Sequence, residues 1–318
     1  MTEPSRDGPD LVGAGLILLA ATCFATLGPL SRYADQASVS SLALVFWRAM
    51  LGAGLMAAFL IARRATVGGG TVSLAWLPSR DLAFVAAAAV ANTILNLAVF
   101  VAFLRVSIAL ALLVFYLYPA LVALVSLAWF GERLDGLRWG ALGLSMVGTV
   151  LVVAGAGDLG ALDPIGIGLA FVGAVGQTFY VLAARHGFAR VPGAQAAALT
   201  MGGAAALYLV VALAIGAAAQ LTVPLSGGAA LWPVLVAGLV GAGIPTVCYI
   251  TGIRRLGAPR AAILANFEPV VAVLLAAVLL AEQPTPLQLL GGVLIIASGV
   301  VLQLRAEPEP SEHGAYAA

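Results

Sequence analysis

Residues 115–124 (FYLYPALVAL) and residues 265–274 (ANFEPVVAVL) decide the fold, because the second stretch is a copy of the first. Superposing them aligns Pro119 with Pro269 at an offset of 150 residues. The alignment then continues through a glutamate pair and, at an offset of 151, two glycine pairs: Glu132 with Glu282, Gly140 with Gly291, and Gly148 with Gly299. Four pairs in order indicate that the chain contains an internal repeat.

Composition places both copies in a membrane. The 318 residues are 62% hydrophobic and 9% charged, whereas soluble domains carry roughly 25% charged residues. Ten apolar runs approach the ~20 residues that a membrane helix needs: 11–30, 41–62, 82–104, 107–129, 137–155, 165–184, 196–218, 231–252, 261–280 and 287–304. The runs are continuously apolar and do not alternate as barrel strands do. We therefore predict an all-α polytopic membrane protein.

The repeat divides the chain into segments. We expect a cytoplasmic N-terminal segment (1–10), a first five-helix repeat (11–155), a linker (156–164), a second five-helix repeat (165–304) and a disordered cytoplasmic tail (305–318). Five spans is an odd number, so the second repeat enters the membrane upside down. Inverted repeats are typical of secondary transporters, in which two similar halves expose a central site alternately to each side.

Arginine placement predicts the orientation, since short cytoplasmic loops collect positive charge. With the N-terminus inside, the outer loops hold only Arg32 and Arg105. The cytoplasmic segments hold Arg6, Arg63, Arg64, Arg80, Arg133, Arg138, Arg185, Arg190, Arg254, Arg255, Arg260 and Arg305. We expect an integral protein of the inner (plasma) membrane with both termini in the cytoplasm.

Other function classes find little support in the sequence. A net charge of +1 offers no field for nucleic acid. Cys23 and Cys248 lack disulfide or metal spacing, so we expect no metal site and no cofactor. The two histidines, His186 and His313, fall in a loop and the tail, which argues against an enzyme. The sequence contains no phosphate-binding glycine loop followed by a lysine, so it gives no indication of ATP hydrolysis.

The repeats also resemble a known family. Residues 249–299 combine an arginine-bearing turn, the Glu268-Pro269 pair, the helix-end Glu282 and a glycine-rich last span. The first copy shares Phe46-Trp47-Arg48, Pro119 and the Gly131-Glu132-Arg133 turn. This pattern resembles the EamA branch of the drug/metabolite transporters. The resemblance implies a cavity formed by spans one, three, four, six, eight and nine, and it is specific to the superfamily and not to a substrate.

Glu268 is the acid that lies deepest in a predicted span, about 15 Å down if Ala258 opens the helix. A charged carboxylate there must be paired, face a wet cavity or be protonated. Substrate binding or proton coupling is favoured over a structural role. In the first copy Tyr118 stands in its place. Pro119 and Pro269 kink their helices and are candidate hinges, with static kinks as an equal alternative.

The remaining candidates are weaker one by one. Arg48 lies shallow in span two, where anchoring and an ion pair are favoured over substrate contact. Asn92 and Asn96 share one helix face, and bonding between helices explains at least one of them. A mixed polar and aromatic cavity is predicted from Tyr116, Tyr118, Gln177, Tyr180, Thr246, Tyr249 and Asn266. The resemblance adds Thr22 and Thr26 on span one.

The sequence thus predicts a secondary active transporter with a small-molecule substrate and the lipid bilayer as partners. Export of an amino acid or related metabolite, with protons as coupling ion, is the favoured hypothesis. A non-transporting scaffold or sensor is the alternative. Glycines at eight-residue spacing favour close packing of the fifth and tenth spans within one chain over a dimer contact, so the protein is expected to be a monomer or a homodimer.

Overall fold

The computed structural model describes residues 10–67, 78–103, 105–132, 134–155, 162–280 and 283–304. Within these ranges the chain is helical and contains no strand. Glu282, Arg133, most of the predicted linker, residues 1–9 of the predicted N-terminal segment and the predicted C-terminal tail lie outside the described residues. The fold is therefore the all-helical one that the sequence predicts.

The first repeat contains five helices, two of them broken. Helix α1 comprises Leu11–Ala25 and Leu27–Gln36, and α4 comprises Ile108–Phe115 and Tyr118–Phe130. The unbroken helices are α2 (Ser41–Val67), α3 (Ser79–Phe103) and α5 (Gly136–Ala154). Side chains of Asp10, Ser107 and Asp135 cap α1, α4 and α5 by accepting backbone N–H groups that the first turn leaves unpaired.

The second repeat repeats this order. Helix α6 comprises Pro164–Leu182 with a π-helical end, Ala183–Gly187, and is followed by α7 (Gly193–Ala214). Helix α8 comprises Leu231–Gly238, a π-helical turn Leu239–Gly243 and Ile244–Leu256. Helix α9 comprises Ala258–Ala265 and Glu268–Leu280, and α10 is Pro286–Leu304. Short 3₁₀ segments, Ala218–Ser226 and Gly228–Ala230, join α7 to α8.

All ten predicted spans are present in this part of the chain. Nine of the helices are long and apolar enough to cross a bilayer, and α10 carries a shorter apolar stretch, Pro286–Leu302. The observed α1 and α2 run past the predicted ends at residues 30 and 62. The predicted ends follow the end of each apolar run, whereas helical hydrogen bonding continues into the more polar residues that come next.

The breaks in α4 and α9 occupy equivalent positions in the two repeats. Each second half-helix carries its proline in the first turn, Pro119 in α4 and Pro269 in α9. Proline has no N–H to donate to the carbonyl four residues back, and its ring crowds that carbonyl. The helix therefore breaks just before each proline, and the 150-residue sequence repeat is also a structural one.

Packing between helices follows the same symmetry. Helix α1 packs on α8 as α6 packs on α3, α2 packs on α8 as α7 packs on α3, and α1 packs on α9 as α6 packs on α4. The remaining main pairs join equivalent helices: α2 with α7, α4 with α9 and α5 with α10. Exchanging the two repeats leaves these pairs unchanged, as a two-fold relation between the halves requires.

The α5–α10 pair relies on glycine. A Cβ atom placed on Gly148 would lie 2.7 Å from the carbonyl oxygen of Gly291, closer than real Cβ contacts come. A Cβ on Gly140 would meet nothing within 4 Å. Gly148 and Gly291 thus let the two backbones touch within one chain, whereas Gly140 does not serve this contact.

Candidate binding cavity

A cavity of about 520 Å³ lies at the centre of the bundle. Residues of all ten helices line it, and α10 contributes through Gln288 alone. The walls are mostly apolar and aromatic, with a few polar and charged side chains among them. This is the usual composition of a small-molecule site.

The cavity opens at one end of the bundle. Its lining runs from Gln177 and Tyr249 in the middle of α6 and α8 to Ser31, Phe103 and Pro284 near the α1–α2, α3–α4 and α9–α10 connections. In the orientation expected from the arginines, this end faces outward.

The opposite end is closed by an arginine network. Arg254, near the end of α8, donates to the carbonyl oxygens of Ala184 (3.2 Å), Phe188 (2.8 Å) and Val191 (2.6 Å). Arg185 in turn donates to the carbonyl oxygen of Arg254 at 2.6 Å. These bonds tie α8 to the π-helical end of α6 and to the α6–α7 connection.

Most of the predicted site residues line the cavity. Nine of the twelve substrate or coupling candidates do so: Asn92, Asn96, Tyr116, Tyr118, Gln177, Tyr180, Thr246, Tyr249 and Glu268. Pro269 and Arg48 also line it, whereas Pro119 is buried elsewhere in α4. The structure thus brings residues of both repeats to one space.

Three candidates are placed away from it. Asn266 is fully buried at the break in α9 and donates from Nδ2 to the Ser145 hydroxyl of α5 at 2.8 Å. The hydroxyls of Thr22 and Thr26 donate to the carbonyl oxygens of Leu18 and Cys23 within α1. These three side chains do not line the cavity, although their polarity and their span numbers made them candidates.

Glu268 begins the second half of α9, directly after the helix break. Its side chain is half-buried and accepts no hydrogen bond from any described residue. The break therefore places a carboxylate at the cavity wall without a hydrogen-bond donor from the described part of the chain.

Arg48 faces the same cavity from α2. Its Nε donates to the carbonyl oxygen of Gly241 at 3.2 Å, in the π-helical turn of α8, and Nη1 approaches Asn96 Oδ1 at 3.4 Å. The guanidinium lies 5.9 Å from the centre of the Phe24 ring. Among the described residues Arg48 and Glu268 form no direct ion pair, although they are close enough to interact electrostatically. Among the described residues, the cavity wall therefore carries one positive and one negative group.

Aromatic rings form another part of the cavity wall. Phe24 packs edge-on against Tyr249 at 6.0 Å, and Phe115 packs against Tyr116 and Tyr118 at 5.6 Å each. Gln177 donates to the Tyr249 hydroxyl at 3.3 Å, which fixes both side chains. Tyr208 of α7 adds a hydroxyl that donates to the Asn92 carbonyl oxygen at 3.5 Å.

The sequence interpretation missed three of these residues, Phe24, Phe115 and Tyr208. The first two are single aromatics in apolar runs and carry no signal of their own. Tyr208 was missed because the cavity was expected to exclude spans two and seven. It is a tyrosine inside an apolar run, and a buried hydroxyl that needs a partner is the signal that was available.

Two ion pairs occupy equivalent places at the two ends of the molecule. Asp10 at the start of α1 binds Arg255 of α8 through two contacts of 2.8 and 2.9 Å. Asp163 at the start of α6 binds Arg105, next to the end of α3, at 2.8 Å. The Arg105 hydrogen bond and the Ile165 backbone N–H lower the pKa of Asp163. We call the Asp10–Arg255 pair the inner clamp and the Asp163–Arg105 pair the outer clamp.

The comparisons with known proteins agree with this architecture. The family model described as EamA-like transporter family matches residues 11–154 and 164–304. A solved structure described only as a crystal structure of protein superposes with a TM-score of 0.77, at 23% identity over 92% of this chain and 96% of that chain. That likeness shows the fold. No curated protein matches the sequence.

Two helical repeats around a central cavity define a membrane transporter of the drug/metabolite type. The chain belongs to the EamA-like transporter family, whose model covers both repeats.

Proposed function

We propose that this protein is a secondary carrier that exports a small zwitterionic metabolite, such as an amino acid, across the inner membrane. The observation that carries the proposal is the pair of charged groups in one cavity, Arg48 and Glu268, which interact electrostatically without forming a direct ion pair. The proposal is finer than the family, which indicates transport without naming a solute.

A zwitterion fits these charges. An unpaired charge away from water is costly, and a carboxylate bound by Arg48 together with an ammonium bound by Glu268 would relieve both costs at once. The planar guanidinium is suited to a carboxylate, and its Nη2 has no hydrogen-bond partner among the described residues. The aromatic wall offers apolar surface to the rest of the solute.

Alternating access follows from the symmetry. Two similar halves can exchange conformations, which would open the Arg254 end as the opposite end closes. With the N-terminus inside, the present opening faces outward, and this is the state that would release an exported solute. The helix breaks at Pro119 and Pro269 lie where such a movement would bend α4 and α9.

Glu268 can couple the movement to protons. A proton arriving from the outer side would neutralise the carboxylate and weaken its hold on an ammonium group, so the solute would leave outward. Return of the protonated carrier and loss of the proton inside would complete an exchange of one proton for one solute. A carboxylate facing a wet intramembrane cavity is the usual component of such relays.

Flux in proteoliposomes tests the proposal. We expect vesicles with an imposed proton gradient to accumulate or lose a labelled amino acid faster than empty vesicles, and Glu268→Gln to abolish the dependence on the gradient. Thr22→Val, which alters a hydroxyl outside the cavity, is the matched control and should keep full flux. Absence of flux for amino acids and other small metabolites would instead favour the scaffold or sensor hypothesis.

A further inference from the structure

A second cavity of about 400 Å³ lies away from the transport cavity, between the start of α3 and the ends of α4 and α6. Its walls include Phe84, Trp129, Phe130 and Phe179, and its charged or titratable groups are Arg80 and His186. Trp129 is 77% exposed on the side of the helix bundle. The cavity is thus a groove that opens sideways toward lipid, at the end of the molecule that holds most arginines.

The floor of the groove is closely packed. Phe84 packs so closely on Gly187 that a Cβ atom there would lie 2.7 Å from the ring. His186 stacks on Phe130 with the ring centres 3.9 Å apart. Glu132 contacts this wall through His186 at 3.0 Å and is also 3.8 Å from Arg185. Its charge is therefore offset by neighbouring groups.

Arg80 at the groove has a different environment from Glu132. Its guanidinium lies 5.7 Å from the centre of the Phe84 ring, and the side chain is exposed. Within the part of the chain that the structure describes, no carboxylate forms an ion pair with it. A cation beside an apolar, aromatic groove at the membrane boundary matches an anionic headgroup with an acyl chain below it.

We propose that this groove is a binding site for an anionic phospholipid, with the lipid phosphate on Arg80 and an acyl chain against the aromatic wall. The lipid would contact the π-helical end of α6, which the Arg254 network uses to close this end of the molecule. The site is separate from the transport cavity, so it does not depend on the identity of the transported solute.

The test compares the purified full chain in nanodiscs of phosphatidylcholine with and without phosphatidylglycerol of the same acyl chains. We expect phosphatidylglycerol to raise the melting temperature and to remain bound in native mass spectrometry. Arg80→Ala should weaken this binding about fivefold, which corresponds to about 1 kcal/mol, and Arg80→Lys should retain most of it. Arg64→Ala, an exposed arginine at the end of α2 outside the groove, is the matched control and should bind as the unaltered chain does.

Two further measurements separate the groove from general attraction. Brominated phosphatidylglycerol should quench the fluorescence that Trp129 contributes, taken as the difference from Trp129→Phe, and Val125→Phe should reduce that quenching by filling the groove. Glycerol phosphate, which has the headgroup charge without chains, should not stabilise the protein. Equal losses in Arg80→Ala and Arg64→Ala, or equal effects of the two lipids, would overturn the proposal.

Discussion

At the scale of single residues, the proposed function depends on how two charges are held inside a membrane. A charged carboxylate in a bilayer needs a cation or a proton, and Glu268 receives neither a hydrogen bond nor a direct ion pair from the described protein. Arg48 keeps Nε and Nη1 occupied, so its position is fixed while its charge still faces the cavity. In the proposed function, this arrangement would give a solute two anchoring points.

Replacing Glu268 with glutamine should therefore weaken binding of a zwitterion. A hydrogen bond to a charged group contributes about 1.5–3 kcal/mol, so we expect the dissociation constant to rise roughly 10- to 100-fold. Isothermal titration calorimetry, with the solute that the flux assay identifies, measures this change. An unchanged affinity would assign Glu268 a role in coupling or structure alone.

Replacing Asn266, in contrast, is expected to change stability and not substrate affinity. Asn266→Ala removes the bond to Ser145 that joins the break in α9 to α5, and polar contacts between membrane helices contribute about 0.6–2 kcal/mol. We expect a lower melting temperature with an unchanged substrate affinity. In a cycle with Ser145→Ala, the double variant should be less destabilised than the sum of the single variants; strict additivity would refute the contact.

At the scale of elements, close packing of α5 on α10 makes a prediction with a control in the same helix. Gly148→Leu would force a side chain into the backbone of α10, whereas Gly140→Leu would extend into open space. We expect the first variant to express poorly or to melt well below the unaltered protein, and the second to fold normally. Equal melting temperatures in detergent would contradict the packing.

The outer clamp makes a prediction about charge. Arg105→Asp should leave two carboxylates facing each other and lower the melting temperature, and adding Asp163→Arg should restore it. The clamp holds Asp163 ionised and lowers its pKa, so its stabilising effect is present above the usual aspartate range and is lost as the pH falls through the lowered pKa. The difference between the single variant and the unaltered protein should therefore shrink in acid.

The elements also show how far sequence reasoning reaches. Apolar runs and paired prolines sufficed to predict ten helices and two repeats, because span length and missing N–H groups act locally. The aromatic wall and the Arg48 contacts with α8 depend on which helices meet, and a single sequence does not contain that information. Asn266 shows the same limit, since its amide is polar in either setting and only the position of α5 decides its partner.

At the scale of the whole molecule, the two ends are not equivalent despite the repeat. At an offset of 150 residues the counterpart of Arg255 is Arg105, and both form clamps, whereas the counterpart of Arg254 is Leu104. Arg254 donates to three carbonyl oxygens at the closed end, and the other repeat has no arginine with which to do the same. This difference favours closure of the arginine-rich end and hence the state described here.

Arg254→Leu, which gives both repeats the same residue, should therefore shift the population toward closure of the present opening. The shift can be followed by a cysteine placed at Asn92, deep in the cavity, in a chain with Cys23 and Cys248 replaced by alanine. Labelling by a charged maleimide from the outer side should slow severalfold in Arg254→Leu and stay unchanged in Arg190→Leu, an exposed arginine at the same end. If both variants label at the original rate while remaining folded, then the Arg254 network does not set the balance between the two states, and the bias must come from the packing of the helices themselves.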